Sequence, residues 1–136
     1  MMHITIHDTD ALAGILSHVT VEKIVAVVWA FVQKYYDQTE TVPWAHSDYT
    51  EEIHIAFRNN MPSYYGWTIP VFNGKGVVVC VEFPTDPNLS LVMGVLAHEF
   101  MHVLLRVLPE ESTEEHEDIC DAVAEAMFDD MRKLTA

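Results

Sequence analysis

The sequence predicts an α+β domain in which a small, mainly antiparallel sheet of about three to four strands packs against helices. Three long segments repeat apolar residues at three- and four-residue steps, which is typical of helices with one buried face. Short alternating runs between the first two segments are typical of half-buried strands. The chain has 136 residues, half of them hydrophobic, so one core without disulfides is feasible. We therefore expect residues 1–136 to form a single domain.

The first half of the chain is expected to supply a strand, a helix and a second strand. His3–His7 alternates polar and apolar residues and predicts a short strand. Between Val19 and Tyr36 the apolar residues repeat with the helical period. Glu52–Arg58 alternates again, which places its isoleucines and phenylalanine on one face of a strand. This helix is the N-terminal helix of the predicted fold.

A hairpin and two helices are expected in the second half. Strands over 67–72 and 76–83 flank Asn73-Gly74-Lys75-Gly76, which is a strong signal for a hairpin turn. A helix is expected over 89–108, with Asn88 or Ser90 as its N-cap. A further helix is expected from Ser112 to about residue 134, because Ser112-Thr113-Glu114-Glu115 matches a capping box. Their short connection predicts an antiparallel C-terminal helix pair.

The charge of the chain disfavours one class of partner. The net charge is −14, from 21 acidic and 7 basic side chains, whereas binding to phosphate backbones requires a basic face. We therefore expect no nucleic-acid partner. Residues 110–130 hold ten carboxylates and no lysine or arginine. A solvated helix face is the simplest interpretation, and the alternatives are a field that attracts a metal ion, docking of a basic protein partner, or DNA mimicry.

Composition also predicts where the protein works. The longest purely apolar run, Ile24 to Val32, is much shorter than the ~20 residues that cross a bilayer, so no membrane association is expected. No secretory signal pattern is visible at the start of the sequence. Cys80 and Cys120 both lie in apolar patterns and are interpreted as small core residues. Together these features favour a reduced, cytoplasmic location.

The most informative motif lies in the middle of the first C-terminal helix. His98-Glu99-Phe100-Met101-His102 has the pattern His-Glu-x-x-His, and residues four apart lie one above the other on a helix. Both imidazoles can therefore bind one zinc ion, while Glu99 lies beside them and can take a proton from water. Random placement of the same composition would give the pattern about 0.04 times per chain. The flanking residues are apolar, and burying this polar trio without partners would cost several kcal/mol.

A third protein ligand is needed, because catalytic zinc usually has three and a water. If the two C-terminal helices are antiparallel, residues 116–119 lie level with His102, at a rise of about 1.5 Å per residue. His116 and Glu117 both fall in this window. Glu117 is preferred because it lies at the edge of the apolar face and Asp121, one turn later, could orient an imidazole as an outer carboxylate. His116 stays as the alternative ligand.

These segments resemble the zincin metallopeptidases, and more closely their short gluzincin-like forms. The resemblance spans about residues 67–131 and rests on the strand Val77–Val81, the helix segment Leu96–Leu104 and Glu117-x-x-x-Asp121. It implies a zinc metallopeptidase that cleaves a peptide or protein substrate with Glu99 as the general base. It also implies that an edge strand, here part of Gly76–Phe83, holds the substrate in an extended conformation.

Two other families are similar as well. SprT-like metalloprotease domains have a comparably short connection to a third histidine, which would make His116 the ligand, although no glycine flanks it here. ImmA/IrrE-type domains are also similar, but their Glu-Ala-Asn pattern is missing from the last helix.

There are two alternatives to an enzyme. One is a non-catalytic zinc protein with a regulatory or inhibitory role, and the other is an acidic DNA mimic.

A zinc hydrolase usually adds a donor that stabilises the oxyanion, and this removes roughly 3 kcal/mol from the barrier. The sequence offers Tyr64, Tyr65, His54 and His46 and does not select among them. Substrate specificity is expected to reside in loops such as 39–49 and 60–65.

Overall fold

Strands and helices follow one another in the order expected for an α+β protein. The computed structural model describes residues 3–7, 18–38, 52–70, 76–105 and 112–135. Its elements are β1 (His3–His7), α1 (His18–Gln38), β2 (Glu52–Arg58), β3 (Tyr65–Pro70), β4 (Gly76–Glu82), α2 (Leu89–Leu105) and α3 (Glu114–Thr135). The predicted fold class and the type of every predicted element are therefore confirmed. The predicted hairpin turn and the loop over 39–49 lie outside the described residues.

The sheet is mixed, and the prediction of a mainly antiparallel sheet is wrong. Its four strands lie in the order β1-β2-β4-β3. β1 pairs with β2 and β2 with β4 in parallel, and only β3 and β4 are antiparallel. The reason is topological, because parallel neighbours require a long crossover and α1 supplies one between β1 and β2. The hairpin signal therefore predicted one pairing correctly but did not describe the sheet.

One face of the sheet is covered by the helices. β2 and β4 run in register, with Ile53 opposite Val77 and Ile55 opposite Val79, and all four side chains are fully buried. α1 adds valines at four- and three-residue steps to the same core. Trp29 of α1 packs edge-on against Phe100 of α2, with ring centroids 5.0 Å apart. Within the described residues, no helix is long and apolar enough to cross a membrane.

Both C-terminal helices begin at side-chain caps. The Asn88 side-chain oxygen accepts a 2.9 Å hydrogen bond from the backbone N–H of Ser90, so Asn88 is the N-cap of α2. The cap of α3 lies one residue later than predicted, because the Thr113 hydroxyl accepts the backbone N–H of His116 at 3.3 Å. Ser112 instead places its hydroxyl near the Thr113 carbonyl, at 3.4 Å.

α2 and α3 are antiparallel, as predicted. Early in α2, Gly94 lies against the backbone of Ala124, whereas His102, two turns later, lies beside Glu117. α2 also packs against α1, β3 and β4, which makes it the central helix of the fold. Polar residues on α2 are therefore held between the sheet and α3, and this is where the predicted site lies.

Candidate metal centre

The two motif histidines lie side by side on the face of α2 that meets α3. Their ring centroids are 5.1 Å apart. His102 is 1% exposed, whereas 22% of the His98 side chain is exposed. The motif thus lies in an otherwise apolar environment, as the flanking residues predicted, with one imidazole enclosed and the other open to solvent.

Glu117 of α3 faces both imidazoles with one oxygen each. Its Oε2 lies 3.3 Å from His98 Nε2, and its Oε1 lies 3.3 Å from His102 Nε2. Two donors bound to tetrahedral zinc at about 2.0–2.1 Å are separated by roughly 3.3 Å. Two imidazole nitrogens and a carboxylate are also a ligand set that catalytic zinc takes. The chemistry of these donors, and the distance of each imidazole nitrogen from the carboxylate oxygen that faces it, therefore fit zinc.

His116, the alternative third ligand, has a different place. It is buried and its Nδ1 accepts the backbone N–H of Thr113 at 3.1 Å. This contact and the Thr113 hydroxyl bond form a reciprocal cap at the start of α3, with histidine in the role that glutamate plays in a capping box. Among the described residues, His116 is not part of the cluster of possible metal donors. The structure thus brings Glu117, and not His116, to the motif histidines.

Asp121 lies where an outer carboxylate was predicted. Its Oδ1 is 3.1 Å from Nδ1 of His98, on the far side of the ring from Glu117. A proton on Nδ1 directed at this carboxylate leaves the lone pair of Nε2 free for a cation. The four-residue step from Glu117 to Asp121 places both carboxylates along one side of α3.

Cys120 is a donor that the sequence interpretation missed. It is fully buried and unpaired, as expected of a core residue, but its sulfur also belongs to the donor cluster. The ligand atoms of His98, His102, Glu117 and Cys120 all lie within 4.8 Å of one another. Burial raises the pKa of the Cys120 thiol, and the charges of Glu117 and Glu99 raise it further. The three-residue step from Glu117 was the available signal.

Glu99 lies beside the donor cluster and is held from the other side. Its Oε1 accepts a 2.7 Å hydrogen bond from the hydroxyl of Thr68 in β3, and its Oε2 is 3.8 Å from His98 Nε2. Burial raises the pKa of Glu99, while the Thr68 hydrogen bond and the adjacent His98 oppose this rise. The backbone of Gly66 also lies close to Glu99, since a Cβ at this position would lie 2.9 Å from Glu99 Cγ. Neither Thr68 nor Gly66 was predicted to lie at the site.

A cavity opens next to the donor cluster. Its volume is about 430 Å³, and its lining residues are Tyr64, Tyr65, Gly66, Leu91, Gly94, Val95, His98, Glu99, Ala124 and Glu125. Of the proposed oxyanion donors, Tyr64 and Tyr65 line it, and the Tyr64 hydroxyl accepts the backbone N–H of Asn88 at 2.7 Å. His54 instead hydrogen-bonds to His7 on the exposed side of the sheet. His46 lies outside the described residues.

The strand next to this cavity is β3 and not β4. The resemblance to gluzincins placed the substrate-holding edge strand within Gly76–Phe83, but β4 lies between β2 and β3 and has no free edge. This expectation is wrong because β4, which follows β3 in the sequence, inserts between β3 and β2 and pairs with both. The outer edge of β3 (Tyr65–Pro70) has no partner strand among the described residues. β3 also carries Thr68, which hydrogen-bonds to Glu99, and Gly66, which leaves room for it.

Comparison of the chain with protein-family models, with curated proteins and with solved structures finds no match.

Proposed function

We propose that the protein is a zinc-dependent metallopeptidase-like hydrolase that acts on a peptide or protein substrate, with Glu99 as the general base. The observation that supports this best is the convergence of His98, His102 and Glu117, with the Glu99 carboxylate between this cluster and a cavity. A zinc ion held by these three residues would polarise a carbonyl and lower the pKa of water at this point.

The residues around Glu99 suit it for proton transfer. Thr68 holds Oε1, so the carboxylate has one fixed orientation, and Oε2 is left on the side of His98. Glu99 takes a proton from the attacking water as the bond from oxygen to the carbonyl carbon forms. It then gives this proton to the leaving amine as the carbon–nitrogen bond breaks.

Apolar side chains at the cavity favour an extended, apolar substrate segment. Three of the exposed large hydrophobic residues lie on β3 or at the cavity, namely Tyr65 (58% exposed), Ile69 (45%) and Leu91 (38%). The unpaired edge of β3 offers backbone donors and acceptors to an added strand. Among the described residues, the Tyr65 hydroxyl makes no hydrogen bond, which makes Tyr65 the better candidate for stabilising an oxyanion.

Metal analysis combined with one conservative substitution tests this proposal. The purified protein is expected to contain about one equivalent of zinc and to cleave members of a peptide library. Glu99→Gln is expected to lower the rate at least about a hundredfold while the zinc content is unchanged. The matched control is Glu115→Gln, because Glu115 is an exposed carboxylate on α3 that does not line the cavity. Its rate is expected to stay close to that of the unmodified protein.

Other outcomes would favour the alternative functions. One equivalent of zinc without cleavage of any peptide would contradict the hydrolase and support a non-catalytic zinc protein. Absence of zinc, together with chelator-resistant binding to a basic nucleic-acid-binding protein, would support the acidic DNA mimic. The exposed carboxylates of α3 are available for DNA mimicry, but that function gives no role to His98, His102 and Glu99.

A further inference from the structure

We infer that Cys120 is a fourth protein ligand of the metal bound by His98, His102 and Glu117. This inference rests on the metal-binding part of the proposed function and adds to it a thiolate donor. Four ligands of types His, His, Glu and Cys would surround the ion completely, in contrast to the three that leave one position open.

The placement of Cys120 on α3 carries this inference. Residues three apart on a helix share a face, so Cys120 approaches α2 from the same side as Glu117. Its sulfur, two histidine nitrogens and a Glu117 oxygen lie within 4.8 Å of one another. Donors to a tetrahedral ion lie roughly 3.3–3.7 Å apart, so a small contraction of the cluster around the ion is sufficient.

Cys120 is more deeply buried than the carboxylates of Glu117 and Asp121. It is fully buried, whereas 71% of the Asp121 side chain is exposed. His102 is enclosed next to it, at 1% exposure. The cavity is lined by His98 and Glu99 but by no atom of Cys120. The thiol therefore belongs to the buried part of the cluster and not to the lining of the cavity.

Coordination by Cys120 has a consequence for the proposed reaction. As the sulfur–metal bond forms, the thiol proton is released to solvent, and the ion then has four protein ligands. Structural zinc sites are closed in this way, whereas catalytic sites keep a position for water. A hydrolase with this ligand set must lose the sulfur ligand or become five-coordinate to admit water beside Glu99. With this ligand set, the closed arrangement would be the resting state of the centre.

Cobalt(II) provides the test, because a thiolate bound to cobalt gives a charge-transfer band in the near ultraviolet. The full chain is titrated with cobalt(II) in the unmodified form and as Cys80→Ala. Cys80 is the matched control, since it is the other cysteine and is also buried and unpaired. We expect the band in both proteins, which assigns it to Cys120 even if no Cys120 variant folds. Cys120→Ala and Cys120→Ser are expected to bind cobalt without the band, with affinity lowered by about tenfold or more.

The possible failures are distinguishable. If cobalt binds with the visible absorption of a four-coordinate site but without the charge-transfer band, the inference about Cys120 is wrong. The site of the proposed function, with three protein ligands and a water, is then retained. A band that disappears in Cys80→Ala would also overturn it. If neither protein binds cobalt or zinc, the metal centre itself is wrong, and the proposed function fails with it.

Discussion

The Thr68 hydroxyl donates a 2.7 Å hydrogen bond to Oε1 of Glu99, across the contact between β3 and α2. Both residues are buried, with 2% and 4% exposure. A buried carboxylate loses its hydration, and a hydroxyl donor replaces part of it. The bond also fixes which oxygen of Glu99 remains for proton transfer. Thr68 is therefore a positioning residue for the proposed general base.

Replacing Thr68 with valine tests this role. Valine has the same shape but no donor, so the Glu99 carboxylate becomes less well oriented and less well solvated. We expect the hydrolysis rate to fall by roughly tenfold to a hundredfold and the free energy of unfolding by about 1–3 kcal/mol. Zinc content should not change. Thr68→Ser keeps the donor and serves as the control, and equal rates for both variants would contradict the positioning role.

The absence of a side chain at Gly66 makes room for Glu99. A Cβ there would lie 2.7 Å from Val95 Cγ1 and 2.9 Å from Glu99 Cγ, both too close for undistorted packing. Gly66→Ala is expected to displace Glu99, lowering activity and reducing stability by about 1–3 kcal/mol, while zinc binding persists. Val95→Ala removes one of the two contacts, so the double variant should regain part of the activity and stability. No recovery would show that the Val95 contact is unimportant.

Substitutions at neighbouring positions of α3 distinguish the two candidate ligands. Glu117 faces both motif histidines, whereas His116 caps the helix. Glu117→Ala should weaken zinc binding at least about a hundredfold, as measured by chelator competition. His116→Ala should leave zinc affinity nearly unchanged and lower the free energy of unfolding by about 1 kcal/mol, as loss of a cap does. The reverse pattern would support the SprT-like assignment.

Local patterns predicted the elements of this fold, but not how the strands pair. The alternation of Glu52–Arg58 and the helical period of α1 are set by which side chains face the core, and both match the structure. The order β1-β2-β4-β3 depends on which strands meet after a long connection. No local pattern carries that information, because β2 and β4 have similar apolar faces whichever way they pair.

The candidate site was likewise predicted only where its residues are related by a local pattern. His98, Glu99 and His102 form a motif within one helical turn, and the short connection to α3 limited the remaining ligand to two residues. Glu117 could be preferred because helix geometry relates it to Asp121. The contact of Thr68 with Glu99 joins residues 31 positions apart and depends on how β3 packs on α2. Such a contact leaves no pattern in the sequence.

Asp121 offers a test of the outer carboxylate. Its Oδ1 lies 3.1 Å from His98 Nδ1 and can hold the proton there. Asp121→Asn keeps the size but weakens this contact, so zinc affinity should fall by about tenfold to a hundredfold. Asp118→Asn removes the same charge from an exposed position on the same helix and is the control. Equal losses in both variants would indicate a general effect of charge on the cation and not a contact with His98.

Cys80 is not proposed as a metal ligand, but its thiol makes the stability of the protein depend on pH. Burial and the neighbouring Glu82, opposed by Arg58, raise the pKa of its thiol from 9.0 to about 11. Below pH 9 the thiol is protonated in the folded and the unfolded chain, so it adds no pH dependence. Between about pH 9 and 11 only the unfolded chain loses the proton, which lowers the free energy of unfolding by roughly 2–3 kcal/mol.

Cys80→Ala removes this term and isolates it from other groups that titrate in the same range. At pH 8 the variant should be less stable than the unmodified protein by about 1–2 kcal/mol, because the sulfur leaves a small cavity. By pH 11 the difference should shrink or reverse, since only the unmodified protein is destabilised by the Cys80 thiolate of its unfolded state. Urea unfolding of both proteins across this range measures the difference directly. A difference that stays constant with pH would mean that the folded protein does not hold the Cys80 thiol in its neutral form.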